Sequence, residues 1–175
     1  KVQKQKRFYG DVGDLTRKLS KTDVRLIAPS GVLTDKQVRA YKSQVSEQVK
    51  LYQQVQEMVP IARTLNLEDI TWTKPYTEEE VNQRRTEIAT YAKYADRMES
   101  MLATANQLGW DVSQSGRVEA ENVSSFAEQL AEQQRLSEKL GKLRAEAEAL
   151  GGTLQLPEYP LSPEKISGVE AQMPS

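Results

Sequence analysis

The residues that could do chemistry are few and poorly placed for it. Ser162-Pro163-Glu164-Lys165 has the Ser-x-x-Lys spacing that some serine acyl-transfer enzymes use. It stands in a Pro-rich stretch without companion motifs, and a helix start at Ser162 is the plainer reading. Glu78-Glu79-Glu80 offers three carboxylates for acid–base work or for a cation. At the head of a helical pattern the same three acids serve the positive end of the helix dipole. Asp11-Val12-Gly13-Asp14 supplies two acids of a calcium loop and lacks the third acidic position and the distal Glu. Asn122-Val123-Ser124 fits the glycosylation sequon, but Val123 belongs to an apolar helix face.

What is missing decides more. There is no His and no Cys in 175 residues. That excludes Ser/His/Asp and Cys/His sites and an ordinary zinc site. No Gly-rich phosphate loop is present. We expect a non-enzymatic protein with no catalytic residue, no metal and no cofactor.

Helical packing is what the pattern supplies instead. Thr34 and Gln37 form a capping-box pair ahead of a helix over about 34–66, with Val38, Val45, Tyr52 and Val59 seven residues apart. Tyr41, Gln48, Val55 and Ala62 make the companion line, and Pro60 predicts a kink or a restart of the helix. Thr77 and Glu80 predict a second capping box, opening a helix over 77–108 on Val81, Ile88, Ala95 and Leu102. Arg84, Tyr91, Met98 and Ala105 accompany that seam, and Gly109 caps the helix. A third long helix over 118–150 carries Val123, Phe126, Leu130, Gln133, Leu140, Leu143, Ala147 and Leu150 on one side. Residues 1–28 read as a basic helix or arm, and Ala28-Pro29-Ser30-Gly31 breaks it. Residues 153–175, with four Pro, read as an extended tail.

Near-equal helices with connectors of about ten residues favour an all-α, elongated, antiparallel three- or four-helix bundle with coiled-coil-like packing and that extended tail. Function then lies in contact: a scaffold, adaptor or assembly subunit that binds another protein or a second copy through helical faces. Trp72, Tyr76 and Trp110 are candidate anchors, since Trp and Tyr dominate binding hot spots, and the ends of the core are their alternative place. Arg84 and Gln48 interrupt the seams, where a polar residue either fixes register or partner choice or snorkels at a bundle edge.

The charge is asymmetric. Residues 1–50 carry 12 Lys+Arg against 5 Asp+Glu, and the remainder carries the excess of acid. Lys4, Lys6, Arg7, Arg17, Lys18, Lys21 and Arg25 could therefore meet anions, and an anionic membrane surface is the alternative reading. Asp11, Asp14 and Asp23 dilute the patch and no nucleic-acid-binding motif accompanies it, which disfavours nucleic acid. No run of apolar residues is long enough to span a bilayer. A soluble protein is expected, with the cytoplasm as the first reading and a secreted or periplasmic place equally compatible with zero Cys. A chain that begins with Lys1 is expected to be processed or cut.

Overall fold

Apolar heptads and capping residues give five helices among the described residues, 1–174, of the computed structural model. They are α1 (Val2–Ser20), α2 (Asp35–Thr64), α3 (Glu78–Leu108), α4 (Ala120–Ala149) and α5 (Pro163–Glu170). No strand is present among these residues. The all-helical class follows the sequence pattern, and the three long helices start and stop within two residues of the expected places.

The caps explain the starts. Thr34 Oγ1 accepts from the Gln37 N–H while Gln37 Oε1 accepts from the Thr34 N–H, which completes the box. At α3 only half of the expected box forms. Thr77 Oγ1 accepts from the Glu80 N–H, but the Glu80 carboxylate accepts from Thr73 N–H instead. The connector before α3 bends back and presents that donor within reach. Pro60 lies inside α2, which continues through it.

The tail is extended only over its first part. Ser162 caps α5 through the Lys165 N–H, Pro163 fills the first turn, and Ile166 and Val169 are buried. They cluster with Leu136, Leu140 and Leu161.

The chain divides into two compact units, residues 1–90 and 91–174. In the first, Gln5 near the start of α1 bonds to Leu33, just ahead of α2, and Thr16 later in α1 bonds to Tyr41 later in α2. Both numbers rise together, so α1 and α2 run side by side in the same direction. In the second unit Gln133 bonds to Leu161, just ahead of α5, and Leu136 and Leu140 pack on Ile166 and Val169. That pair also runs the same way. The connectors do the turning. An extended residue covers about 3.3 Å and a helical one about 1.5 Å, so some thirteen extended residues suffice to retrace half of a thirty-residue helix.

Candidate functional site

The repeated junction between a helix and the chain that returns along it is the most elaborate site in the molecule. In α2, Gln48 is buried and its amide faces backbone. Its Nε2 donates to the Tyr76 carbonyl (2.8 Å), and the Tyr76 N–H donates to its Oε1 (2.8 Å). In α4, Gln133 does the same for Leu161, at 2.8 and 2.6 Å. In α1, Gln5 does it for Leu33, at 2.7 and 2.9 Å. Each pair is separated by 28 residues. A primary amide has one donor and one acceptor side, and so it completes a backbone N–H and C=O as a neighbouring strand would.

These latches mark an internal repeat of 43 residues, one of them shortened to 42. The N-caps Thr34, Thr77, Glu119 and Ser162 recur at that interval. Four residues after each come Val38, Val81, Val123 and Ile166, all buried. Twenty-eight residues after the first three caps come Ala62, Ala105 and Ala147, also buried. There the C=O accepts from the N–H five residues on, at Leu67, Trp110 and Gly152. The residue before each of these, Asn66, Gly109 or Gly151, has positive φ, as this helix ending requires. Caps and seams are legible in local pattern, whereas this period is not. The signal was Gln5, Gln48 and Gln133, each 28 residues ahead of the apolar residue that precedes a Thr or Ser cap.

Three of the repeats also leave an open groove between the later turns of the helix and the returning chain. One is lined by Val59, Ala62, Arg63, Leu67, Ile70 and Trp72, with a volume of about 410 Å³. Thr16, Leu19, Ser20, Val24 and Arg25 line its counterpart one repeat earlier. Leu102, Asn106 and Gln114 line the counterpart one repeat later.

The candidate contact residues fall in different places. Trp72 lines the groove and is half-buried. Tyr76 is core: its ring is buried and its hydroxyl donates to Asp23, at 2.8 and 2.9 Å to the two carboxylate oxygens. Trp110 is core too, stacked on Phe126 with ring centroids 5.2 Å apart. The Trp110 side of this core also borders an open recess with Gln129 and Pro160. Gln48 holds the chain's own backbone. Arg84 is half-buried, donates to Glu87 at 2.9 Å, and has its Nε buried without a hydrogen-bond partner. It stands seven residues after its cap, where Tyr41, Phe126 and Val169 are buried in the other repeats.

Around Tyr76 the electrostatics are coupled. Burial alone would raise Asp23, but hydrogen bonds from Lys74 and Tyr76 and the Lys74 charge outweigh it and hold Asp23 below the usual aspartate value. Burial, followed by the hydrogen bond to Asp23 and its charge, pushes the Tyr76 phenol well above its ordinary value. Tyr76 therefore remains a donor at any ordinary pH.

The other sequence motifs are engaged structurally. Ser162 caps α5, and Lys165 Nζ donates to the carbonyls of Glu158 (2.8 Å) and Pro160 (2.7 Å) rather than to a hydroxyl. Asp14 pairs with Arg17 within α1. Lys4, Lys6, Arg7, Arg17, Lys18, Lys21 and Arg25 are all exposed, and Lys4 and Arg7 flank the Phe8 ring. Among the described residues no group of three or more Asp or Glu is placed to hold a metal ion. No helix among them is long and apolar enough to cross a membrane. Comparison with protein-family models, curated proteins and solved structures finds no match to this chain.

Proposed function

We propose that this chain is a non-enzymatic helical repeat scaffold that works through protein–protein contacts. The observation that carries the reading is the recurrent groove. Most core positions and three of the four latches are kept from repeat to repeat, while equivalent groove positions change from Thr16 and Ser20 to Val59 and Arg63 and then to Leu102 and Asn106. A constant frame with variable recesses is how repeat proteins present distinct contacts on one scaffold. The half-buried Trp72 in the most apolar groove has the size and placement of an anchor.

A photo-crosslinking residue at Ile70, beside Trp72, tests this in cells. A discrete adduct that disappears on Trp72→Ala, with helicity unchanged, is the expected result. Absence of any adduct at Ile70, Ser20 and Asn106 would sink the reading. So would turnover of an ester, phosphate, amide or glycoside by the purified chain that is lost on mutating one of its own side chains.

A second reading has its own observation: the exposed Lys and Arg of residues 1–25 could dock on an anionic membrane. Co-sedimentation with vesicles rich in anionic lipid at about 150 mM salt, abolished by Lys4→Glu with Lys6→Glu, is the result it requires.

A further inference from the structure

Exposed large apolar side chains are concentrated in two segments of opposite charge. Among the described residues, Val2, Tyr9, Ile27 and Val32 lie in the first, and Leu150 and Leu156 in the second; only Ile61 falls elsewhere. The first segment, residues 1–32, holds eight Lys or Arg against three Asp. The second, residues 145–174, holds five Glu against one Lys. Tyr9 and Gln5 bond to the carbonyls of Gly31 and Leu33, so Val32 lies beside α1 at a level between them. Val2 and Tyr9, seven residues apart on one face of α1, and Val32 alongside are all exposed on a basic ground.

The repeat says what kind of surface fits these residues. Val2 stands one repeat ahead of Val45, and its counterparts further on are Ile88 and Leu130. All three counterparts are buried, Val45 completely, whereas Val2 is 79 % exposed. At the other end Leu150 is 65 % exposed, while its counterparts Leu65 and Leu108 are half-buried. Val2 and Leu150 therefore occupy places that are more covered elsewhere in this fold. The opposite charges select which surface does the covering.

We propose that the chain self-associates head to tail: the acidic, Leu-bearing segment 145–174 of one copy docks on the basic, Val- and Ile-bearing segment 1–32 of the next. The contact joins two different surfaces, so it is heterologous, and each dimer keeps one free face of each kind. This rests on the scaffold reading and names its partner as a second copy.

The test is light scattering and sedimentation of the full chain up to about 100 μM. The expected mass exceeds the 19.8 kDa of one chain, grows with concentration, and falls between about 20 and 500 mM salt as the charges are screened. Ile27→Asp with Val32→Asp blocks one face, and Leu150→Asp with Leu156→Asp blocks the other. These side chains are exposed, and far-ultraviolet circular dichroism checks each fold. Each variant alone should associate at least tenfold more weakly. Mixed, they should form a one-to-one heterodimer and nothing larger, because each retains the face the other lost.

A strictly monomeric chain under all conditions overturns the proposal. So do association unchanged in both variants, a mixture that remains monomeric, or a mass increase seen only with anionic vesicles. A monomer that still gives the Ile70 cross-link would overturn self-association alone and leave the scaffold reading standing.

Discussion

Gln48 and Tyr91 occupy equal places in successive repeats, fourteen residues after their caps, yet the two junctions are closed by different chemistry. Gln48 completes the Tyr76 backbone with a neutral amide on both sides. Tyr91 has a hydroxyl, which donates to the carboxylate of Glu119 at 3.0 Å, and the Arg117 guanidinium lies 5.7 Å from its ring centroid. The pairs are both 28 residues apart, but the second repeat is one residue shorter. That spacing reaches the residue before the cap at Tyr76 and the cap itself at Glu119. Losing one connector residue thus replaces a backbone partner with a side-chain partner. A charge-independent latch becomes one that depends on an ionised carboxylate.

The largest expected effect comes from removing the amide. Gln48→Leu keeps the volume but leaves the Tyr76 N–H and C=O buried without partners, at a cost of about 3 kcal/mol. Urea unfolding should show it as a lower midpoint with an unchanged slope. Gln133→Leu loses the same bonds, but what it frees is the connector and the short α5. Hydrogen exchange should therefore accelerate at 161–170 more than the global midpoint falls. Equal global losses would mean α5 is integral to the unit. Gln48→Glu sharpens the contrast. An ionised carboxylate would face the Tyr76 carbonyl, so burial and repulsion raise its folded pKa above the unfolded value. Stability should then rise as pH falls through that raised pKa, since the protonated acid restores both bonds. No gain on acidification would mean the site relaxes around the charge.

Much of the frame was legible because helices declare themselves locally. Val38, Val45 and Val81, Ile88 repeat at seven, Thr34 reads with Gln37, and Gly109 ends α3 as its position implies. Gln48 was visible as a polar break in a seam. Its partner was not, because Tyr76 lies 28 residues on and helical periodicity carries no information at that distance. The direction of neighbouring helices was hidden for a related reason: a connector of a dozen residues fits a reversal of direction or an extended return equally well. Tyr76 and Trp110 flank Pro and Gly, where an aromatic side chain has no periodic face that would assign it to core or surface. The groove at Trp72 is a property of the returning chain and has no sequence signature of its own.

The Tyr91 junction should be the weaker of the two. Tyr91→Phe removes one part-buried hydrogen bond and should cost about 1 kcal/mol, well below Gln48→Leu. Tyr91→Gln should not recover the amide latch on its own, because the backbone ahead of Glu119 is one residue out of step. Adding one residue to the 109–119 connector together with Tyr91→Gln should recover it. If Tyr91→Gln alone matches the wild type in urea, the connector length is not what separates the junctions. Arg84 tests the same logic in the opposite direction. Its Nε lies buried and unpartnered at a place that is apolar in the other repeats, so Arg84→Leu should raise stability by about 1 kcal/mol. A loss would show that the ion pair with Glu87 outweighs the orphaned donor.

The smallest expected effect belongs to Asp23, where the Gln48 junction acquires a charge at its edge. Tyr76, whose backbone the amide holds, donates its hydroxyl to Asp23, and Lys74 pairs with the same carboxylate at 2.8 Å. Asp23 is held below its ordinary pKa, so its contribution is fully present above about pH 4 and is lost as pH falls through the lower folded value. Both partners are partly exposed, 44 % for the Lys74 side chain and 39 % for that of Asp23, and solvent screening limits the gain to well under about 1 kcal/mol. Asp23→Asn should therefore lower the midpoint slightly at neutral pH and flatten the acid limb of the stability profile. Salt at about 500 mM should reduce the difference between variant and wild type, while leaving the loss from Gln48→Leu unchanged. A salt-insensitive Asp23 effect would place its role in the neutral hydrogen bond from Tyr76 rather than in the Lys74 charge.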